Sequence, residues 1–173
     1  RDSINVEEKA TGEIFAGAGV GTDGSTLSFA VKENNYLGRG IKLVSELTVS
    51  EETIKGQLRV KNPNYKNSDK SVNFNVQSLE TDRLTDSGYK TNKTGFSFGT
   101  GFELYDDLNA SFGIESLYEV IDTDSSASAL QKKQKGNYFD NFFDLNFNYD
   151  KRNQKFQTSE GFRNTFNASI PLI

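Results

Sequence analysis

Taken in steps of two, the chain separates repeatedly into an apolar face and a polar or glycine face, the signature of half-buried strands. Ile14, Ala16, Ala18 and Val20 share one face, opposite Glu13, Phe15, Gly17 and Gly19. Leu27, Phe29 and Val31 follow, then Ile41, Leu43, Leu47 and Val49 opposite Lys42, Glu46 and Thr48. Ile54, Leu58 and Val60 oppose Lys55, Gln57, Arg59 and Lys61, and Val72, Phe74 and Val76 oppose Asn73, Asn75 and Gln77. The second half continues with Phe96, Phe98, Phe102 and Leu104, then Leu108, Ala110, Phe112, Ile114 and Tyr118. The clearest segment sets Phe139, Phe143, Leu145, Phe147 and Tyr149 against Asp140, Asp144, Asn146 and Asn148. A ninth sets Phe162, Phe166, Ala168 and Ile170 against Arg163, Thr165, Asn167 and Ser169. The apolar faces of these nine segments carry no charge, whereas the opposite faces carry many.

Turn-forming clusters separate the strands, among them Asn34–Gly40, Asn62-Pro63-Asn64, Tyr105-Asp106-Asp107 and Ser159-Glu160-Gly161. Longer connections, around 81–91 and 122–136, fall on one side of an up-and-down meander. No segment has helical periodicity, so the expected fold is all-β. Alternation does not say which face is inside, and a soluble ligand-binding β-barrel with a buried Phe face fits the same pattern. Three features favour the inverted arrangement, with the apolar face against lipid and the polar face lining a lumen. The segments run about 9 to 13 residues, near the ~9–11 that cross a bilayer at a tilt. Tyr36, Tyr65, Tyr105 and Tyr149 stand at strand ends, where an aromatic belt meets headgroups. The polar face is continuous, and a charge on the lipid side would cost roughly 2–4 kcal/mol at the midplane.

This reading predicts an antiparallel up-and-down transmembrane β-barrel. Phe29, Leu43, Leu58, Phe74, Phe96, Phe98, Phe112, Phe143, Leu145, Phe147 and Phe166 would face lipid. Lys42, Glu46, Arg59, Glu115, Asp140, Asp144 and Arg163 would face the lumen. Nine strands is an odd number, whereas single-chain bacterial barrels have an even one, so the segment reads as the front part of a larger barrel.

Composition narrows the chemistry. The 173 residues contain no His and no Cys, which removes the commonest general base, the thiol nucleophile and the usual zinc ligands. A net charge of −4 argues against nucleic acid as a partner. We expect neither enzymatic activity nor a cofactor. No apolar run is long enough for a membrane helix, and a chain starting at Arg1 reads as a piece of something longer.

Several constellations imitate sites. Gly19, Gly21 and Gly24 spell G-x-G-x-x-G, but the period-two stretch Thr26–Lys32 stands where a dinucleotide fold needs a helix. Thr22-Asp23-Gly24-Ser25 reads as a hairpin turn instead. Asp122-Thr123-Asp124-Ser125-Ser126 begins like a calcium loop without its glycine and closing Glu, and is expected to be a solvated loop. Asp140 and Asp144 share a strand face about 13 Å apart, too far for an acid–base pair. Lys132, Lys133 and Lys135 form a short basic run in the same loop as Asp122 and Asp124; solvation is the default reading and lipopolysaccharide contact a lesser one.

The order of these turns resembles the bacterial surface antigen family of outer-membrane barrel proteins. The run Val6–Gly12 followed by "GEIFAGAGVGTDG" is similar to the family's junction between its last periplasmic domain and its first barrel strand. "ENNYLGRG", "VKNPNY" and "YDKRNQKFQTSEGFR" resemble its turns after the second, fourth and eighth strands. Gln157 departs from the usual proline, and Ser159-Glu160 enlarges that turn by about one residue. The resemblance implies a junction over residues 1–11 and, over 12–173, roughly the first half of a sixteen-stranded barrel in the bacterial outer membrane. It implies a protein that folds and inserts other barrel proteins, or a related secretion translocator or autotransporter assembly factor. Its partners would be outer-membrane lipids, unfolded barrel clients and accessory lipoproteins. Gly12, Ile14, Ala16, Gly17, Gly19 and Gly21 would form a first strand that opens laterally and pairs with a client strand. Glycine there either loosens the edge or leaves room on a crowded wall.

Overall fold

Period-two alternation gives each of nine strands one apolar face, and the strands join by short connections into a single antiparallel meander. The computed structural model describes residues 11–21 and 24–172. The strands are β1 (Gly12–Gly21), β2 (Gly24–Tyr36), β3 (Ile41–Val49), β4 (Thr53–Asn62), β5 (Ser71–Arg83), β6 (Tyr89–Tyr105), β7 (Leu108–Thr123), β8 (Gly136–Asp150) and β9 (Arg163–Leu172). They form one sheet in the order β1-β2-β3-β4-β5-β6-β7-β8-β9. With β1 drawn running upward, the β2–β3, β4–β5, β6–β7 and β8–β9 connections form a lower rim, and the other four an upper rim. The junction over Arg1–Ala10 and the hairpin residues Thr22 and Asp23 lie outside the described residues. Their flanks, Gly21 and Gly24, are cross-strand partners.

The register keeps the two faces separate across the sheet. Leu43, Val60, Phe74, Phe98, Ile114, Phe143 and Ile170 are successive cross-strand partners from β3 to β9. On the other face the neighbouring row reads Lys42, Lys61, Asn73, Gly99, Gly113, Asp144 and Ser169. Since a slip of one residue would exchange the faces, these rows fix the register of every hairpin. The apolar row continues in a ladder of rings. Phe102, Phe112, Phe147 and Phe166 succeed one another with centroids 5.9, 5.9 and 6.4 Å apart.

Several expectations need correction. Strands β5 to β8 are longer than their apolar segments, reaching 17 residues in β6. The long connection expected over 81–91 shrinks to α1 (Leu84–Ser87) and Gly88, because Thr81 pairs with Thr91 and Arg83 with Tyr89. Above the apolar band the outward-parity residues are Glu80, Asp82 and Lys90, whose ion pairs (Lys90 Nζ to Glu80 2.7 Å, to Asp82 3.3 Å) hold the extension together. Helices also occur where none was expected. In α2 (Ala129–Gln134), Ser128 accepts from the Gln131 backbone N–H while the Gln131 side chain accepts from Ser128, a capping box that starts the helix locally. Tyr65–Asn67 form a tight turn in which Lys66 and Asn67 take left-handed φ of +53° and +57°. Phe162, expected within the ninth strand, lies just before it with its ring 5.7 Å from that of Tyr149.

Candidate functional site

Three surfaces carry the candidate chemistry: the free edge at β1 and the two faces of the sheet. Among the described residues, strand β1 pairs with β2 alone, through ten residues from Gly12↔Glu33 to Gly21↔Gly24. Gly12, Ile14 and Ala16 fall on the apolar face with Val31 and Phe29; Gly17, Gly19 and Gly21 fall on the polar face with Ser28 and Thr26. At its lower end the Thr11 hydroxyl donates to the Glu33 carboxylate, which also accepts from the Asn35 N–H (2.8 Å). Ile14 and Val20 are 87% and 88% exposed.

Gly19 and Gly21 of this edge differ from Gly95 and Gly99 of the sheet centre. A Cβ built on Gly19 or Gly21 meets nothing within 4 Å among the described residues, and one on Gly17 meets only the Phe15 ring at 3.1 Å. A Cβ on Gly95 would approach Leu117 Cδ2 to 2.5 Å. One on Gly99 would lie 3.0 Å from Asn73 Oδ1 and 3.1 Å from the Phe112 carbonyl oxygen. Gly95 and Gly99 therefore make room, whereas Gly19 and Gly21, like Gly56 on the interior strand β4, meet no described atom.

All eleven residues expected on the lipid side share the apolar face: Phe29, Leu43, Leu58, Phe74, Phe96, Phe98, Phe112, Phe143, Leu145, Phe147 and Phe166. This face covers no core. Among the described residues the buried apolar side chains are Ala110 and Ala127 alone, while Phe29, Phe98 and Phe166 are more than half exposed. Polar cross-strand pairs interrupt the face beyond what the alternation predicts: the Ser78 and Thr94 hydroxyls, for example, lie 2.9 Å apart. Ser116 and Asn141 are cross-strand partners, and the Ser116 hydroxyl donates to Asn141 Oδ1 at 2.6 Å, so each satisfies the other.

Lys42, Glu46, Arg59, Glu115, Asp140, Asp144 and Arg163 share the opposite face. Arg59 donates to Glu46 at 3.0 Å, Arg163 to Asn148 at 2.6 Å, and Asn146 to Asn167. Asp144, Asn146, Asn167, Ser169 and Asn73 line a trough of about 510 Å³ floored by Gly99 and Gly113. Leu117 and Phe142 also stand on this face, beside Asp140 and Glu115. With Phe142 and Phe143 adjacent in sequence, one had to turn to the polar side.

The imitated sites resolve into structure. Asp122 pairs with Lys135 (2.7 Å), and Asp124 accepts from the Ser126 N–H and hydroxyl (2.7 and 2.6 Å). The Ser126 bonds hold the Asp124 carboxyl below its ordinary range. Lys132 and Lys133 lie in α2, where Lys132 donates to the Ser125 carbonyl at 2.7 Å. No group of three potential metal ligands occurs among the described residues. At the lower rim, Arg152 makes two bonds to Asp150 (2.8 and 2.7 Å), and Asp107 (2.7 Å) raises the Lys151 pKa. Gln157 has φ +52°, a conformation closed to proline, so the departure at this position comes with a turn of different geometry.

Comparison with known proteins places this arrangement. A family model described as the Omp85 superfamily domain matches residues 35–172. Among solved structures, the chain is similar to the crystal structure of BamA from Haemophilus ducreyi lacking POTRA domains 1–3, with a TM-score of 0.65 and 19% identity. That likeness covers 96% of this chain and 35% of the other, so the chain spans about a third of that protein's length. No curated protein matches.

Proposed function

Because the chain belongs to the Omp85 superfamily, we propose that it forms the first nine strands of an outer-membrane barrel whose whole protein is a BamA-type assembly factor. Its apolar face meets lipid, its polar face lines an aqueous lumen, and β1 offers its free edge to strands of incoming barrel clients. The chain acts by strand pairing and not as an enzyme; it uses no cofactor, and accessory lipoproteins assist the whole protein.

The observation that carries the membrane part is the exposed apolar face. A soluble barrel buries its aromatic residues, yet here Phe29, Phe98 and Phe166 stand on a face with no core beneath it. Only a closed sheet satisfies every backbone group in hydrocarbon, so nine strands with edges at β1 and β9 call for further strands to complete the barrel. Support for the client-pairing part is the unpacked glycine edge: Gly19 and Gly21 lower strand propensity without relieving any crowding.

The test uses the full-length protein in liposomes with an unfolded barrel client. Folding of the client should accelerate, and single cysteines at Ala16 or Ala18 should cross-link to a cysteine in a terminal client strand. Unchanged client folding together with no cross-link would defeat the assembly-factor reading. Cross-linking without acceleration would retain the edge pairing and point to a translocator of the same superfamily.

A further inference from the structure

The lower rim holds a cleft that none of the surfaces above uses. Its volume is about 610 Å³, and it lies between the β2–β3 turn and the β4–β5 connection, lined by Gly38, Arg39, Asn62, Asn64, Tyr65, Lys66 and Asn67. The lining offers a guanidinium, an ammonium, three side-chain amides and an aromatic ring, and no carboxylate. Neither Arg39 nor Lys66 belongs to any of the ion pairs among the described residues. The nearby carboxylates are otherwise placed: Glu33 is held by Thr11 and Asn35, and Asp69 lines a separate trough with Ser71 and Gly101.

Two further observations give the cleft a chemistry. Lys42 and Lys61, at the lower ends of β3 and β4, are direct cross-strand partners without an ion pair of their own. Like charges directly opposite destabilise a sheet, and here they add to the positive field of a cleft whose own lining holds no carboxylate. Second, lysines on this rim sit over aromatic rings: Lys66 over Tyr65 (5.5 Å), Lys70 over Phe102 (6.0 Å) and Lys151 over Tyr149 (5.9 Å). Phe102 belongs to the apolar face, so these ammonium groups mark where that face gives way to water. Cations over interfacial aromatics at such a boundary lie at headgroup depth.

We propose that this cleft binds the phosphodiester headgroup of an anionic phospholipid, with Arg39 and Lys66 on the phosphate oxygens and the asparagine amides as further donors. The planar guanidinium suits bidentate contact with two phosphate oxygens. The inference rests on the membrane reading of the apolar face and adds a site that fixes the lower rim against one leaflet.

Full-length protein in nanodiscs provides the test, with phosphatidylglycerol diluted into phosphatidylcholine, read by native mass spectrometry of retained lipid. The wild type should retain phosphatidylglycerol preferentially, and the Arg39→Gln/Lys66→Gln variant should lose about an order of magnitude of that preference. Arg39→Lys should keep part of it, and Lys135→Gln on the upper rim all of it. Preference that survives in the double variant, or is absent in the wild type, would overturn the proposal. Inorganic phosphate displacing phosphatidylglycerol at equal concentration would assign the site to free phosphate and equally overturn it. A protein that fails to enter the nanodisc at all would defeat the membrane reading instead, which separates the two failures.

Discussion

Strands β1 and β7 carry the same alternation and meet opposite circumstances. In β7, Ala110 and Ser116 are 2% and 6% exposed, with neighbours on both sides; in β1, Ile14 and Val20 are almost bare. Gly99 and Gly113, cross-strand partners on β6 and β7, sit against the Phe112 and Phe98 carbonyl oxygens, whereas Gly19 on β1 has open space. The same residue thus serves two ends. At Gly99 and Gly113 it is required by what stands beside it; at Gly19, as at Gly56 within the sheet, it is permitted because no described residue does. Periodicity sets which face a residue occupies, but the neighbouring strands set what a substitution there costs.

The comparison can be broken first on the apolar face. Ile114→Arg places a charge in the middle of the seven-strand apolar row, and in liposomes it should destabilise the full-length barrel by about 2–4 kcal/mol. Urea unfolding followed by the gel-mobility shift of folded barrels measures this. A loss under ~0.5 kcal/mol would mean that the row faces water and that the inverted arrangement is wrong. Next in size is Gly99→Val, whose methyl groups would press on Asn73 and on the Phe112 carbonyl; the expected cost is about 1–3 kcal/mol in the same measurement. An unchanged midpoint would show that β5 and β7 yield, and that crowding does not explain the central glycines.

A third expectation concerns the upper rim. Gly88 has φ +70°, and a Cβ there would come within 2.4 Å of the Ala127 backbone nitrogen, while the Gly88 carbonyl accepts from the Asp124 N–H at 2.9 Å. Gly88→Ala should undo this docking of the β7–β8 loop on the β5–β6 loop at a cost of about 1 kcal/mol. Proteolysis near Ser125 should accelerate in the variant. Equal cleavage rates would show that the two loops do not depend on one another.

The nine strands, both faces and most turn positions were legible because apolar and polar residues alternate along each strand between the rims. Beyond the apolar band that demand ends, and so did legibility. Thr81, Asp82, Lys90 and Thr91 read as loop because neither face there contrasts with the other, yet the β5–β6 ladder continues through them to Arg83 and Tyr89. The capping box at Ser128 and Gln131 was readable in principle, but a six-residue helix has too few turns for periodicity to show. The Arg39–Lys66 cleft was not readable, since it joins turns separated by two whole strands. The glycines could be counted but not sorted, because the sorting depends on cross-strand register.

The smallest expected effect bears most directly on that sorting. Gly19→Val adds a β-branched side chain to an edge position with no atom within 4 Å among the described residues, so no clash opposes it. Valine also favours the strand, and global stability should rise by a few tenths of a kcal/mol or stay level. Hydrogen exchange separates this from a mere null result. Amides of β1 in the wild type should exchange faster than those of β7, because its glycines give it little packing and, among the described strands, it has one partner where β7 has two. Valine should slow the β1 amides while leaving β7 unchanged, and client folding on the full-length protein should slow with them. Slower exchange with unaltered client folding would make the glycines a feature of the edge's own dynamics with no part in strand exchange. A destabilised barrel would mean that a strand outside this segment packs against Gly19, and that the edge glycine makes room just as Gly99 does.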